Sequence, residues 1–156
     1  MWLEIPVKDL NRAKAFYEKV FGWTYQDEGK DFKEPGVSKL YFFSKGDFNG
    51  AFLVLDSEEL LAPAISPAGN GKDRWSVVST FAVENVNAAL QKVEDAGGKI
   101  YRYVCPRVQD NSHGTRIQID DVDLDRPRID IDNNMGFYGR FVDPEGNVHG
   151  VHSMRG

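Results

Sequence analysis

The spacing of apolar side chains changes period soon after the chain begins. Leu3, Ile5 and Val7 alternate with Trp2, Glu4 and Pro6, the two-residue period of a strand with one covered face. From Ala13 the period lengthens: Ala13, Phe16, Tyr17, Val20 and Phe21 recur at helical spacing, predicting an amphipathic helix capped by Asp9 or Asn11 and ended by Gly22. Strands are predicted over residues 39–44 and 50–55 around a turn at 45–49, and residues 61–72 read as irregular. Alternation returns over 75–83, with Val77, Ser79, Phe81 and Val83 on one face and Ser76, Val78, Thr80 and Ala82 on the other. A second helix follows, with Asn87 as its cap, Ala89, Leu90 and Val93 as its apolar stripe, and Gly97 and Gly98 as its stop. Further strands are predicted near 99–104, 136–142 and 148–152, the last two joined by a tight turn at 143–147.

These patterns repeat. Residues 5–22 (IPVKDLNRAKAFYEKVFG) lie without gaps on 81–98 (FAVENVNAALQKVEDAGG), matching Val7 with Val83, Asn11 with Asn87, Ala13 with Ala89, Glu18 with Glu94 and Gly22 with Gly98. The chain therefore reads as one domain made of one unit used twice, module one over 1–60 and module two over 73–156, joined by a connector at 61–72. A cavity between the halves is expected. Module two also carries an insertion at 106–134, where TRIQI (115–119) and RIDID (128–132) alternate like the arms of an extra hairpin.

Composition narrows the function. A chain of 156 residues can bury a full core, and a net charge of −5 argues against a nucleic-acid partner. No apolar run approaches the roughly 18 residues of a membrane span. The opening MWLEIPVKDLNRAK has no basic region followed by an apolar stretch, so a cytoplasmic location is expected. Cys105 stands alone and forms no internal disulfide. The acidic run at Asp121, Asp123 and Asp125 fails as a calcium loop, because the glycine and glutamate such a loop needs are here Arg126 and Asp132. A charged hairpin edge explains it better.

Three segments in order, EIPVKDLNRAKAFYEKVFGW, ENVNAALQKVEDAGGKI and GFYGRFVDPEGNVHGVHS, make the chain resemble the glyoxalase, bleomycin-resistance and extradiol-dioxygenase proteins, the vicinal oxygen chelate superfamily. The resemblance implies an α+β fold of two βαβββ modules, their sheets cupped into a half-open barrel with the helices outside, and a homodimer. Metal-dependent members hold a divalent ion through one ligand from the first and one from the last strand of each module, usually His, Glu or Gln. Carried onto this chain, the first-strand positions fall on Trp2 and Val78 and the last-strand position of module two on Gly150, while residues 48–55 contain no His, Asp, Glu or Gln. No cofactor is therefore expected.

The candidate ligand-binding residues are Trp2, Glu4, Thr80, Tyr138, Arg140 and His152. Glu4 is the candidate catalytic group, a cavity carboxylate able to act as a base, with a plain ion pair as its alternative. Glu4 and His152 keep the face of the lost ligands and form the one alternative metal pair. Tyr138 and Arg140 share a strand face, reading either as an anion clamp or as a solvated arginine beside a packed tyrosine. His149 lies on the other face from Gly150 and reads as a hydrogen-bonded, partly buried histidine. The function these residues suggest is metal-free binding of a small, partly polar organic molecule between the modules. The alternatives are a metal-dependent lyase, isomerase or dioxygenase with displaced ligands, and an accessory or regulatory domain with a filled cup.

Overall fold

A computed structural model describes residues 2–31, 35–67, 73–101, 128–131 and 136–155. Its first half runs β1 (Trp2–Val7), α1 (Leu10–Phe21), β2 (Thr24–Tyr25), β3 (Lys30–Asp31), β4 (Val37–Lys45) and β5 (Phe48–Leu55). A 3-10 turn (Glu58–Leu60) and the small hairpin of β6 (Ile65–Pro67) and β7 (Asp73–Trp75) lead to β8 (Ser79–Ala82), α2 (Val86–Asp95), β9 (Lys99–Ile100), β10 (Arg128–Ile131), β11 (Gly136–Val142) and β12 (Val148–Ser153).

The two halves have one topology. In the first sheet the order is β1-β5-β4-β2 with β3 also on β4; in the second it is β8-β12-β11-β10 with β9 also on β11. Each half makes one parallel pair, β1 with β5 and β8 with β12, and pairs its other strands antiparallel. Among the described residues the sheets stay open and form no closed barrel.

Helix α1 begins where Asp9 accepts the Arg12 N–H at 3.1 Å, and ends where Gly22 takes a φ of 69°, a left-handed conformation that glycine adopts without a steric penalty. Its buried stripe is the one the period predicts: Ala13, Phe16, Tyr17, Val20 and Phe21. That stripe meets Ile5, Val7 and Phe52 of the first sheet and Phe141 and Val151 of the second in a single core, to which α2 adds Val86, Leu90 and Val93. Rings cross between the halves, Phe16 to Phe141 at 6.0 Å and Phe21 to Phe81 at 4.9 Å. The Lys19 ammonium of α1 also donates to the Asp95 carbonyl at the end of α2.

A polar clasp joins the halves at the turn between β11 and β12. Asp143 folds that turn by accepting the N–H groups of Glu145 (2.9 Å) and Asn147 (2.8 Å). Glu145, fully buried, then accepts the Lys8 N–H at 2.7 Å, the Asp9 N–H at 2.8 Å and the Arg12 Nε–H at 2.5 Å, while Asn147 donates to the Pro6 carbonyl at 2.9 Å. The carboxylate of one half thus satisfies backbone donors around the first turn of the other half's helix, where negative charge is also favoured by the helix dipole.

Several expectations are corrected. Asn85, not Asn87, caps α2, accepting the Ala88 N–H at 2.8 Å. The repeat accounts for it, since Asn85 is the counterpart of Asp9. The strand expected over 75–83 divides: Trp75 pairs with Ile65 in the hairpin that fills part of the connector, Ser76 donates to the Ala64 carbonyl, and Val77 is 88% exposed before β8 begins. Residues Arg128–Ile131 pair with β11 and form an outer strand of the second sheet, the counterpart of β3; residues 115–119, their expected hairpin partner, lie outside the described residues, as do Cys105 and the acidic run at 121–125. No helix among the described residues is long and apolar enough to cross a membrane.

Replacing Glu145 with Ala leaves the Lys8 and Asp9 N–H groups without their acceptor, and should lower unfolding stability by about 3 kcal/mol. Urea denaturation checks this, with Glu145→Gln, which keeps an acceptor oxygen, expected to lose less.

Candidate functional site

Strand alternation decides which side chains the open faces present. On β1, Leu3, Ile5 and Val7 join the core, so Trp2 and Glu4 point to the other face. Trp2 lies beside Asn49 and Glu4 beside Ala51 on β5; Phe42 lies beside Ala51 and Ser44 beside Asn49 on β4. Thr24 pairs with Ser44, bringing β2 to the same rim. Together these strands hold a depression of about 600 Å³ whose lining includes Trp2, Phe42, Thr24, Gln26, Ser44 and Asn49. All of it belongs to the first half. Trp2 is 55% exposed, its ring centroid 5.9 Å from that of Phe42, and its indole N–H donates to Glu4 Oε1 at 3.1 Å.

The second sheet presents another group. Thr80 pairs with Gly150, Gly150 with Arg140, and His152 with both Tyr138 and Ala82, so Thr80, Tyr138, Arg140 and His152 occupy one face. Arg140 Nε donates to Tyr138 Oη at 2.9 Å, and its guanidinium carbon stands 5.3 Å from the tyrosine ring centre. The six candidate residues thus fall into two sets, Trp2 and Glu4 on one sheet and the other four on the second. Thr24, Gln26, Phe42, Ser44 and Asn49 were missed by sequence reading. Their shared face follows from strand register, and no local pattern in the chain announces it.

The residues at the superfamily's ligand positions do not fit a divalent ion. The indole nitrogen of Trp2 is a donor with no lone pair to offer, and Val78 has no donor atom. The register now identifies the fourth position: Glu4 pairs with Ala51 as its counterpart Thr80 pairs with Gly150, so Ala51 and Gly150 correspond. A Cβ built on Gly150 would sit 2.5 Å from Tyr138 Oη and 2.7 Å from Thr80 Oγ1, so two hydroxyls already fill the space where a ligating side chain would start. Among the described residues no group of three or more His, Cys, Asp or Glu side chains is arranged to hold a metal, and the Glu4–His152 alternative gains no third member there.

His149 faces the core, as its position opposite Gly150 predicts, and is 5% exposed. Its Nε2 is 2.9 Å from Tyr17 Oη, which donates to Asp143 Oδ2 at 2.8 Å. With the Tyr17 hydroxyl donating to Asp143, His149 donates to Tyr17 through Nε2, and its Nδ1 has no hydrogen-bond partner among the described residues. Burial pushes His149 down to about 4 and raises Asp143; it also raises Tyr17 well above its ordinary value, with the Asp143 charge adding to the shift. Sequence reading found the histidine but neither of its partners.

The paired modules define a class of protein built from two sheets of one topology, each with an open face. Residues 1–31 match the family described as bleomycin resistance protein-like N-terminal. Relatives from Mycobacterium bovis and Mycobacterium tuberculosis, named as a glyoxylase, CFP32, are each 29% identical over 100 residues, 64% of this chain and 33% of theirs. The match thus spans about a third of those proteins. Among solved structures, the glyoxalase family protein from Enterococcus faecalis superposes with a TM-score of 0.60 at 13% identity, covering 97% of this chain and 94% of that one. The fosfomycin resistance protein FosX from Listeria monocytogenes gives 0.58 at 14% identity, covering 98% and 90%. The chain is thus similar to a bleomycin resistance protein-like family over its first 31 residues, and it shares the fold of solved glyoxalase-family proteins.

The buried histidine sets an acid limit. Its ordinary value of 6.5 lies above its folded value of about 4, so the unfolded chain binds the extra proton between them and stability falls as pH drops from 6.5 towards 4. The full effect is about 3 kcal/mol. The raised Asp143 works in the opposite direction and reduces the net slope. Chemical denaturation across this range should show the acid loss, and His149→Gln, which keeps a donor to Tyr17 without titrating, should flatten it.

Proposed function

We propose that this chain is a glyoxalase-like binding protein without the superfamily's divalent-metal site, and that it takes up a small, partly polar organic molecule in the depression over its first sheet. The observation that carries this reading is the depression itself. Its size lies within the roughly 300–1,000 Å³ of small-molecule sites, and it combines aromatic surface with a few hydrogen-bonding side chains. The poor fit of Trp2, Val78, Ala51 and Gly150 to a metal supports the same reading. A solved FosX is complexed with Mn(II), but a likeness at 16% identity carries the fold and not the metal. Glu4, held by the Trp2 indole, remains the carboxylate best placed to act on or orient a ligand beside the depression.

A thermal-shift screen of small organic molecules tests the proposal. A ligand should raise the melting temperature by several degrees, Trp2→Ala should weaken its binding roughly tenfold, and chelator should change neither result. A stoichiometric divalent ion in the purified protein, whose removal lowers the melting temperature, would overturn the metal-free reading.

A further inference from the structure

The lining of the depression points to the class of molecule it takes, an inference that rests on the binding reading above. Trp2 is the exposed aromatic among the large exposed apolar side chains of the described residues, which otherwise are Leu60, Val77 and Met154. Its orientation is set from two sides. The indole N–H is committed to Glu4, and Phe42 stands against the ring at an interplanar angle of 59°. With its donor in use, the indole has its π face to offer a ligand. The Lys30 ammonium lies 5.0 Å from the centre of the Phe42 ring, so a cation already occupies that ring.

The remaining residues of the lining are Thr24, Gln26, Ser44 and Asn49, with Gly50 and with Tyr25 and Phe43, whose rings turn towards the core. None is a carboxylate, ammonium, guanidinium or imidazole. Hydroxyls and carboxamides can exchange hydrogen bonds with a neutral polar group at little net cost, but they return only part of the hydration that an ion gives up. Of the charges near the lining among the described residues, Glu4 accepts the Trp2 indole N–H, Lys30 stands against Phe42 and Lys14 against Tyr25, so each already has an aromatic partner.

We propose that the depression binds an uncharged planar ring bearing amide- or hydroxyl-type hydrogen-bonding groups, stacked on the Trp2 indole and read at its edge by Gln26 and Asn49. Such a ring gains stacking and dispersion from the indole, and its edge groups replace their water contacts with neutral partners.

One ring in three charge states tests this on the full chain: nicotinamide, nicotinate and the ring-N-methylated nicotinamide cation, with methyl glucoside as a neutral ligand that is not planar. The readout is the indole N–H resonance of Trp2 in proton–nitrogen correlation spectra, identified by its loss in Trp2→Phe. Nicotinamide should move that resonance saturably and bind roughly tenfold tighter than either charged analogue or the glucoside. Gln26→Ala and Asn49→Ala should each weaken it several-fold while leaving the melting temperature of the free protein unchanged. Equal or tighter binding by a charged analogue, saturable binding of the glucoside, or no response of Trp2 to nicotinamide would overturn the inference. A charged or non-planar compound that stabilises the protein through Trp2 would overturn it and leave the binding reading standing, whereas a screen in which no compound stabilises the protein through Trp2 would remove both.

Discussion

The buried carboxylate of Glu145 is the interaction on which the arrangement of the two halves depends. A lone carboxylate removed from water is costly unless every lone pair finds a donor. Glu145 finds three, all on or beside the first turn of α1, so the charge is tolerated only where the second half is seated on the first. Apolar packing between Phe16, Phe21, Phe81 and Phe141 supplies attraction but little registry, because ring contacts survive small slips. The clasp supplies the registry. It also fixes the end of β1, and therefore the strand that carries Trp2 and Glu4.

Beneath the clasp, the chain from Asp143 through Tyr17 to His149 extends the polar network into the aromatic core. Its members come from the turn, from α1 and from β12. Burial shifts the proton affinity of each, and it keeps this histidine in the core, on the other side of β12 from the open face. The open faces carry a different character, with the Trp2 ring beside Glu4 on one sheet and the Tyr138 ring beside Arg140 on the other.

Much of this architecture was legible in the sequence because duplication leaves two copies of each signal. The strand-to-helix change of period located β1 and α1, and the repeat aligned them with β8 and α2. What escaped has physical reasons. β2 and β3 are two residues long, too short for any period to show. Trp75 alternates with the residues after it yet pairs backward with Ile65, a long-range choice that a local pattern cannot reveal. Trp2 and Glu4 could be named as site residues because they share a face of one strand. Gln26 and Asn49 could not, since their approach to Trp2 depends on β2 and β5 meeting their neighbours in one register.

Gly150 couples three positions of the second sheet. The space that a side chain at 150 would enter is held by the hydroxyls of Tyr138 and Thr80. A larger residue there would have to displace the tyrosine, and with it the hydrogen bond that Arg140 donates. Residues 80, 138 and 150 therefore act as one unit, and redesigning any of them means choosing all three together.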